Sequence, residues 1–513
     1  MNKKYIFFII VLIIFCIGAS FRPIGCKNTI SGTITDQNND PIEGATVGMD
    51  GFTPVVTGAD GIYTFEDVPY DTYTITVSHD SYGTTSKDIS IDYLNNGIAC
   101  KDVDTNFCLG FTFGSPWEEI GEGSASDGGI SNTCNNFSDS GEPFLVINTL
   151  GNPVVAWSDG FSGDEEIYIK QWNGTSWEEI GAASASGGGI SNNSGYSYYP
   201  SLAINASGNP VVAWRDGSSG NSEIYIKQWN GSSWEEIGTG SSSGGGISNG
   251  SGFSIEPVLA INNSGNPVVA WSTGQIYFKQ WTGSNWEELG GSASTGGISN
   301  LPFPSNDSRY PSIAINGSGN PVIAWCDFIS ETAEVYLRQW NGTTWEELDG
   351  SGSGGGVSNN SGYSILPSIA INGSGNPVVA WQDNTSGDYE IYIKQWNGSS
   401  WEEIGTGSSS GGGISNNFGN SGSPSVAINN SGNPVVAWSD ESSGNYEIYV
   451  LQWNGSSREE IGTGSSLAGG ISHNAGDSGE PSLAIDTSGN PVVAWSDRSY
   501  YCEIYIKRWE PDN

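Results

Sequence analysis

The hexapeptide NPVVAW, with one conservative variant, recurs seven times at a nearly constant spacing, and no other feature of the chain constrains its fold as strongly. Successive copies lie 54 to 57 residues apart. The tryptophans that end them are Trp157, Trp214, Trp271, Trp325, Trp381, Trp438 and Trp495. Self-similarity at a fixed period of this length is typical of a repeat architecture, so the repeat is interpreted before any local motif.

Each repeat contains four short apolar runs of strand length, separated by turn residues. In the copy at residues 200–238, the third run alternates apolar and polar residues as a half-buried strand does. Asn230-Gly231 follows it and is a strong signal for a hairpin turn. Because no apolar pattern with a helical period interrupts the repeat, it predicts a four-stranded antiparallel meander.

Seven such sheets with two apolar faces each must bury both faces, and radial stacking around an axis does this. A lone copy of the fourth strand, WEEI at residues 117–120, precedes the first full repeat, and the last repeat stops after its third strand at Trp509. The N-terminal strand is therefore expected to complete the last blade. The sequence predicts an all-β chain whose residues 113–513 form a seven-bladed β-propeller of four-stranded blades, preceded by a small β-sandwich.

Residues 1–26 have the pattern of an export signal. Lysines at positions 3 and 4 precede an apolar run and then small residues, and the run is too short to span a bilayer comfortably. PIGC, which ends at Cys26, partly resembles a bacterial lipobox and makes Cys26 a candidate for lipidation. We expect a protein that is secreted or displayed on the cell surface or outer envelope, in contact with a membrane only through such an anchor.

Residues 28–109 form a separate module whose strands alternate with Asp, Asn, Gly and Pro turns. The segment SGTITDQNNDPIEGATV, with TGADGIYTFEDVPYDTYTITV after it, resembles the carboxypeptidase regulatory-like family. That resemblance implies a small transthyretin-like β-sandwich without catalytic residues. The propeller repeats, with VVAWSDGFSGDEEIYI and its relatives, are similar to sialidase-like and cell-surface propellers, which implies a fold more than an activity.

The formal net charge of −39 limits the classes of partner that the protein can bind. Nucleic-acid binding needs a basic surface, so this class of partner is excluded. Much of the negative charge lies in the WEE motifs, which are spread evenly over the repeats. The charge is therefore expected to form a solvated rim, and the protein is expected to be a monomer.

The cysteines allow disulfide bonds, because export leads to an oxidising compartment. Cys134 follows the N-terminal fourth strand, and Cys502 lies in a loop of the blade that this strand completes. We predict a Cys134–Cys502 disulfide that secures the closure of the ring; the alternative is two unpaired thiols. Cys326 is expected to be a small buried apolar residue.

An acidic pair flanks the loop between the second and third strands of most repeats. Two facing carboxylates should repel each other, and a hard cation such as calcium would relieve that repulsion. The alternative is that Asp accepts hydrogen bonds from loop N–H groups while Glu points to solvent. The tentative metal ligands are Asp159 with Glu166, Asp216 with Glu223, Asp383 with Glu390, and Asp440 with Glu447.

The Gly/Ser-rich segments between blades each carry aromatic residues. Aromatic rings among Asn, Ser and Asp suit sugar recognition by stacking and hydrogen bonding. The alternative is that each ring anchors its loop onto the blade. The candidate ligand-binding residues are Phe137, Tyr196, Phe253, Tyr310, Tyr363 and Phe418.

Catalysis has little support in the sequence. Only two histidines are present, and the arginines are scattered over the blades without the clustering that a sialidase needs for its substrate carboxylate. No catalytic residue and no cofactor other than the calcium considered above is therefore expected. The preferred function is noncatalytic adhesion, with a glycan or a cell-surface protein bound through the propeller loops; the alternatives are a glycan-processing enzyme and a structural interaction scaffold.

Overall fold

The computed structural model divides into two compact units, the first ending at Ser115 and the second beginning at Pro116. Among the residues that it describes, no helix has the length and hydropathy needed to cross a membrane. The described residues are 29–35, 41–49, 51–66, 68, 72–79, 83–90, 102–104, 107–108, 117–126, 128–132, 140–160, 164–250, 252–294, 296–300, 307–329, 332–462, 464–466, 469–474, 476–498 and 502–511.

The first unit is a small β-sandwich. One sheet has the order β4-β1-β7, with β8 also paired to β1, and the other has the order β3-β2-β5-β6. Alternating residues of both sheets, among them Ile30, Val47, Tyr63 and Ile75, meet in one core. The strands are β1 (Thr29–Thr35), β2 (Thr46–Met49), β3 (Val55–Val56), β4 (Ile62–Phe65), β5 (Thr72–His79), β6 (Gly83–Ser90), β7 (Asp102–Asp104) and β8 (Phe107–Cys108).

The second unit consists of seven four-stranded antiparallel sheets, one for each repeat, which we number as blades 1 to 7. Blade 1 contains β10 (Ser140–Ile147), β11 (Pro153–Asp159), β12 (Glu166–Trp172) and β13 (Trp177–Glu179). Blade 2 contains β14 (Ser197–Ile204), β15 (Pro210–Asp216), β16 (Glu223–Trp229) and β17 (Trp234–Glu236). Blade 3 contains β18 (Ile255–Ile261), β19 (Pro267–Ser272), β20 (Ile276–Trp281) and β21 (Trp286–Glu287). Blade 4 contains β22 (Ser308–Ile315), β23 (Pro321–Ile329), β24 (Thr332–Trp340) and β25 (Trp345–Glu346).

The remaining blades repeat the same pattern. Blade 5 contains β26 (Ser364–Ile371), β27 (Pro377–Asp383), β28 (Glu390–Trp396) and β29 (Trp401–Glu403). Blade 6 contains β30 (Ser421–Ile428), β31 (Pro434–Asp440), β32 (Glu447–Trp453) and β33 (Arg458–Glu460). Blade 7 contains β34 (Ser478–Ile485), β35 (Pro491–Asp497), β36 (Glu503–Trp509) and, from the start of the unit, β9 (Trp117–Glu119).

The N-terminal strand closes the ring, as the sequence predicts. β9 pairs antiparallel with β36, with Trp117 opposite Trp509 and Glu119 opposite Lys507. The Trp117 indole Nε1–H also donates to the carbonyl of Ile461 in blade 6, at 2.8 Å. The seven-bladed propeller with a shared last blade is confirmed.

The second strand of each blade is the most buried, and its tryptophan packs between neighbouring blades. All seven of these tryptophans are at most 1% exposed. Trp214, for example, packs with Val154, Ala156 and Ile167 of blade 1. The blades are therefore held together by apolar layers between sheets, which is the burial that the two apolar faces of each repeat require.

The tryptophan that begins the fourth strand adds a hydrogen bond between blades. Trp234 Nε1–H donates to the carbonyl of Ile180 at 2.8 Å, and its counterparts make the same bond. Blade 6 has Arg458 at this position, and its guanidinium reaches the carbonyls of Gly413 and Thr406 in blade 5. The contact between blades is thus kept although the residue type changes.

The first strands surround the axis of the ring. Each first strand lies against the first strands of both neighbouring blades. Backbone-to-serine hydrogen bonds link them, such as Leu259 N–H to Ser201 Oγ at 2.9 Å and Leu483 N–H to Ser425 Oγ at 3.0 Å. Residues at the start of a first strand are therefore close to the axis and to the equivalent residues of the next blade.

Candidate functional site

Every first strand contains a β-bulge immediately before a proline. The register against the second strand shifts there, for example between Tyr198 and Ser201. The residue before the proline has a positive φ of 51° to 57° in all seven blades, although none is glycine. Such a conformation costs energy and occurs where the surrounding structure enforces it. These residues are Glu142, Tyr199, Glu256, Tyr310, Leu366, Ser423 and Glu480.

The bulges connect to one another around the axis where a blade carries glutamate at this position. Glu480 Oε2 accepts a hydrogen bond from Glu142 N–H at 2.9 Å, and Glu142 Oε2 accepts one from Tyr199 N–H at 2.6 Å. Glu256 Oε2 accepts one from Tyr310 N–H at 2.7 Å. The bulge position is thus shared by all blades in backbone geometry but differs between them in side-chain chemistry.

The residue just before the bulge divides the ring into two halves. Blades 2 to 5 carry the large side chains Tyr198, Ile255, Arg309 and Ile365, whereas blades 6, 7 and 1 carry Gly422, Gly479 and Gly141. A Cβ atom built on Gly479 has no neighbour closer than 3.9 Å, so the space beside it is open. The two halves of the axial face therefore differ in bulk.

A cleft of about 550 Å³ lies on the glycine side of the ring, at blades 5 to 7. We call it the axial cleft. This volume lies within the usual range of ligand-binding pockets, and its combination of aromatic and polar side chains is also typical of them. Its lining residues are Gln382, Tyr389, Asn420, Ser421, Gly422, Ser423, Ser439, Tyr446, Asp477, Ser478, Gly479, Glu480, Ser496 and Arg498.

Ser439 is the most informative residue of the axial cleft. It is only 6% exposed, and its Oγ has no hydrogen-bond partner among the described residues. The equivalent Ser158 and Ser496 both donate to backbone carbonyls, of Gly141 and Ser140 respectively. A buried hydroxyl without a partner is costly, so Ser439 indicates a place where a ligand group can hydrogen-bond.

The polar groups around Ser439 are held in place by backbone contacts. Asp477 Oδ1 accepts a hydrogen bond from Tyr446 N–H at 3.1 Å, and Asn420 Oδ1 accepts one from Tyr389 N–H at 3.3 Å. Burial raises the pKa of the Tyr446 hydroxyl, and the neighbouring Glu441 carboxylate raises it further. The tyrosine stays protonated at neutral pH, and its hydrogen bond with Glu441 leaves the hydroxyl oxygen able to accept a hydrogen bond from a ligand.

The second-strand aspartates of the acidic pairs are buried hydrogen-bond acceptors. Asp216 is 0% exposed, and its Oδ2 accepts from Trp214 Nε1–H at 2.9 Å, Asn193 Nδ2–H at 2.6 Å and Ser197 Oγ–H at 3.2 Å. Its Oδ1 accepts from Ser218 N–H at 2.9 Å. Asp383 and Asp440 have equivalent sets of donors, and Asp159 accepts from Ser140 and Trp157.

The glutamates of the acidic pairs are buried too. Glu166, Glu223, Glu390 and Glu447 are each at most 3% exposed and accept hydrogen bonds from a serine of the following Gly/Ser segment. The alternative to calcium binding expected these glutamates to point to solvent, and that expectation is wrong. Each carboxylate ties a distant loop to the hairpin, which explains why two carboxylates lie at one hairpin end.

This network of donors favours a structural role for the pairs. Among the described residues, no group of three or more His, Cys, Asp or Glu side chains is arranged to hold a metal ion. In blade 3, Thr273 and Gln275 stand where the acids occur, and there Trp271 Nε1 and Ser254 Oγ have no hydrogen-bond partner among the described residues. The calcium hypothesis stays a prediction.

The aromatic residues chosen from the sequence lie on loops and bulges, and none of those described lines the axial cleft. Phe418, Phe253 and Tyr196 are exposed, Phe418 fully, and Tyr196 stacks on Tyr198 at a centroid distance of 6.2 Å. Tyr310 and Tyr363 are half-buried, and Phe137 lies outside the described residues. The cleft is lined instead by Tyr389 and Tyr446. In the sequence each of them stands directly before the glutamate of an acidic pair, and this position could have indicated them.

The cysteine predictions concern mostly residues outside the described part of the chain. Cys26 and Cys134 lie there, so the lipidation and the Cys134–Cys502 disulfide remain predictions. Cys502 is 9% exposed, and its carbonyl accepts a hydrogen bond from Ser140 N–H at 3.0 Å. Cys326 is completely buried, as the sequence suggests, and burial raises the pKa of its thiol.

We expect the stability of the propeller to increase as the pH falls from 8 to 6. Burial raises the pKa of Asp327 to about 7 and that of Glu142 to about 7, the latter also because of the charge of Glu480. A folded-state pKa above the unfolded-state value contributes stability at low pH that is lost as the pH rises through about 7. Between pH 6 and 8, Asp327 alone should account for about 1 kcal/mol.

The measurement is the free energy of unfolding from pH 5 to 8.5 for the parent and for Asp327→Asn. The variant keeps an oxygen for Trp325 Nε1–H, which donates to Asp327 Oδ1 at 2.8 Å, and should flatten the dependence. Below pH 4 we expect the stability to fall as the pH falls. Partial burial opposes ionisation of Glu236 and Glu403, but hydrogen bonds from their loops outweigh it and lower the pKa of both carboxyls, so protonating them costs stability. Identical profiles for parent and variant would contradict the assignment.

The two units differ in what they match among known proteins. Residues 29–95 match the model of the family described as carboxypeptidase regulatory-like domain, which confirms the resemblance seen in the sequence. None of the curated proteins matches the chain. The fold and the site thus define an all-β chain in which a carboxypeptidase regulatory-like domain precedes a seven-bladed propeller with an axial cleft.

Solved structures similar to the chain have low sequence identity. A protein of unknown function from Dyadobacter fermentans is 11% identical, with a TM-score of 0.39, over 73% of this chain and 94% of that one. A Hadza microbial sialidase is 10% identical, with a TM-score of 0.38, and the match covers 88% of this chain and 79% of that one. An endo-1,5-alpha-L-arabinanase from Thermotoga petrophila is 9% identical, with a TM-score of 0.31, and the match covers 74% of this chain and 99% of that one. The function has to be inferred from the residues of this chain.

Proposed function

We propose that the protein is an exported, noncatalytic binding protein that holds a glycan in the axial cleft. The observation that carries the proposal is the buried Ser439 hydroxyl, without a described partner, in a cleft that also contains two tyrosines. A sugar offers an apolar ring face to an aromatic side chain and hydroxyl groups to polar ones. Export rests on the signal pattern of residues 1–26, and secretion or display at the cell surface or outer envelope would follow from it.

The acidic residues of the axial cleft support binding more than catalysis. Asp477 and Glu480 each accept a hydrogen bond from a backbone N–H, of Tyr446 and Glu142, and so serve to fix the bulges and loops. Glycoside hydrolysis needs two carboxyl groups placed on either side of the scissile bond, one of them protonated. Both carboxylates here have positioning roles instead. An enzyme and a scaffold that binds only protein remain as outcomes of the test.

The test fills the axial cleft without disturbing the fold. Gly479→Tyr copies the residue that blade 2 has at this position, Tyr198, and a Cβ atom fits there without a close contact. Binding of glycans found on an array should fall by at least about 100-fold, equivalent to losing a few good contacts. Isothermal titration calorimetry measures the affinity, and the unfolding midpoint should stay unchanged.

Ile255→Tyr is the matched control, because Ile255 occupies the same position in blade 3 and does not line the axial cleft. It should bind as the parent does. Equal loss in both variants would mean that the cleft is not the site. Release of reducing ends from a bound glycan would favour the enzyme, and an array without any signal would leave protein adhesion.

A further inference from the structure

The axial cleft contains the same four repeat positions twice, displaced by one blade, with a tyrosine and a glycine in common. Gln382, Tyr389, Asn420 and Gly422 form the first set, and the second is found 57 residues further along the chain at each position: Ser439, Tyr446, Asp477 and Gly479. We call these sets the first and the second cradle. Both lie in a single cavity of about 550 Å³.

The two cradles share their backbone geometry as well as their residue positions. Ser421 N–H donates to the carbonyl of Tyr389 at 2.7 Å, and Ser478 N–H donates to that of Tyr446 at 2.6 Å. In each cradle the tyrosine N–H also donates to the side chain of Asn420 or Asp477. Two cradles with this shared backbone geometry, side by side, suit a ligand that presents two similar units in succession.

The two cradles differ in charge. The first has the neutral Asn420 and Ser423, whereas the second has Asp477 and Glu480 at the equivalent positions. Arg498 also lines the cavity, so the second cradle has two carboxylates for one guanidinium. A carboxylated sugar would be repelled there, whereas a protonated amine would supply both a positive charge and hydrogen-bond donors for the carboxylates.

We propose that the axial cleft binds two consecutive units of an oligosaccharide, with an amino sugar carrying a free, protonated amine in the second cradle. The inference rests on the proposed function, since it assumes that the ligand is a glycan. Ser439 supports it independently of the charges, because its buried Oγ has no described partner and lies in the same cradle. A hydroxyl of the amino sugar would hydrogen-bond with it.

The experiment compares β-1,4-linked glucosamine oligomers of one, two and four units with their N-acetylated counterparts, by calorimetry on the full chain. The glucosamine dimer should bind at least about tenfold more tightly than the monomer, because it fills the first cradle as well as the second. It should also bind about tenfold more tightly than its acetylated form, which has no charge to pair with the carboxylates.

Two reciprocal variants test the placement of the amine. Asp477→Asn keeps an oxygen for Tyr446 N–H, as Asn420 does for Tyr389, and should cost about tenfold in affinity for glucosamine oligomers while leaving the acetylated ones unchanged. Ser423→Glu copies Glu480 at the equivalent bulge position, places a carboxylate in the first cradle and should raise the affinity for glucosamine oligomers. Circular dichroism shows whether both variants fold as the parent does.

The outcomes separate this inference from the proposed function. If neutral glycans bind and Gly479→Tyr abolishes the binding, but free amines give no preference, the amino-sugar assignment is overturned and the glycan function stands. If monomer and dimer bind equally, the two-unit occupancy is overturned. If neither these oligomers nor the array glycans bind, the proposed function itself fails.

Discussion

Removing the side chains that dock the N-terminal strand into the last blade is expected to open the propeller. Trp117 and Ile120 are 4% and 2% exposed, and the Trp117 indole also hydrogen-bonds to Ile461 in blade 6. Truncating a buried tryptophan or isoleucine to alanine costs several kcal/mol each, so Trp117→Ala/Ile120→Ala should lower the free energy of unfolding by about 5 kcal/mol or more. Urea denaturation of the full chain measures this loss.

The ring has a matched control within itself. Trp234→Ala/Ile237→Ala removes the same two side chains from blade 2, whose four strands are continuous in sequence. Both double variants should be destabilised, but only the first should leave β36 as an unpaired edge. An unpaired edge is a template for another strand, so the first variant should associate with increasing concentration, as measured by analytical ultracentrifugation.

Strand replacement makes this test specific. A peptide of residues 113–122 should bind the Trp117→Ala/Ile120→Ala protein and restore the unfolding midpoint, because it supplies the missing indole opposite Trp509. It should have no effect on the blade 2 variant. Equal stability loss in both variants, without association or rescue, would show that β9 behaves as any other fourth strand does and has no special role in ring closure.

Ring closure could be predicted from the sequence because its signals are local. Asn-Gly turns and alternating apolar residues define each strand, and the isolated WEEI segment before the first repeat shows where the last blade finds its fourth strand. The bulges could not be predicted. A residue before proline is biased towards an extended conformation, and nothing about Glu142, Tyr199 or Leu366 indicates a positive φ. In three blades a glutamate of the neighbouring first strand accepts the bulge N–H, a contact between distant parts of the chain.

The axial cleft was only partly accessible to sequence analysis. Gly422 and Gly479 depart from their counterparts in blades 2 to 5, but the departure matters only because the first strands face the axis. The sequence places Asp216 and Glu223 at the end of one hairpin and suggests repulsion. It does not reveal that Asn193, from the preceding Gly/Ser segment, and Ser248, from the following one, reach those carboxylates as donors.

The buried aspartates of the second strands are expected to be the most sensitive polar residues of the propeller. Asp216→Ala would leave the Trp214 indole, the Asn193 amide and the Ser197 hydroxyl without their acceptor in a buried place. Removing one partner from a buried charged network typically costs about 3 to 5 kcal/mol, and we expect a loss of this size. Urea denaturation of the parent and the variant measures it.

Blade 3 supplies the control for the hydrogen bond itself. Trp214 and Trp271 are equally buried, but Trp214 Nε1–H donates to Asp216 and Trp271 Nε1–H has no described partner. Trp214→Phe should therefore cost about 1 to 2 kcal/mol more than Trp271→Phe, since only the former leaves a carboxylate short of a donor. Equal losses would mean that the aspartates do not depend on the indole donors.

Repeating the urea titrations with calcium and with a chelator decides the cation hypothesis. A stability gain from calcium that Asp216→Ala abolishes would assign the carboxylates to a metal ion, because the hydrogen-bond donors alone would not produce that gain.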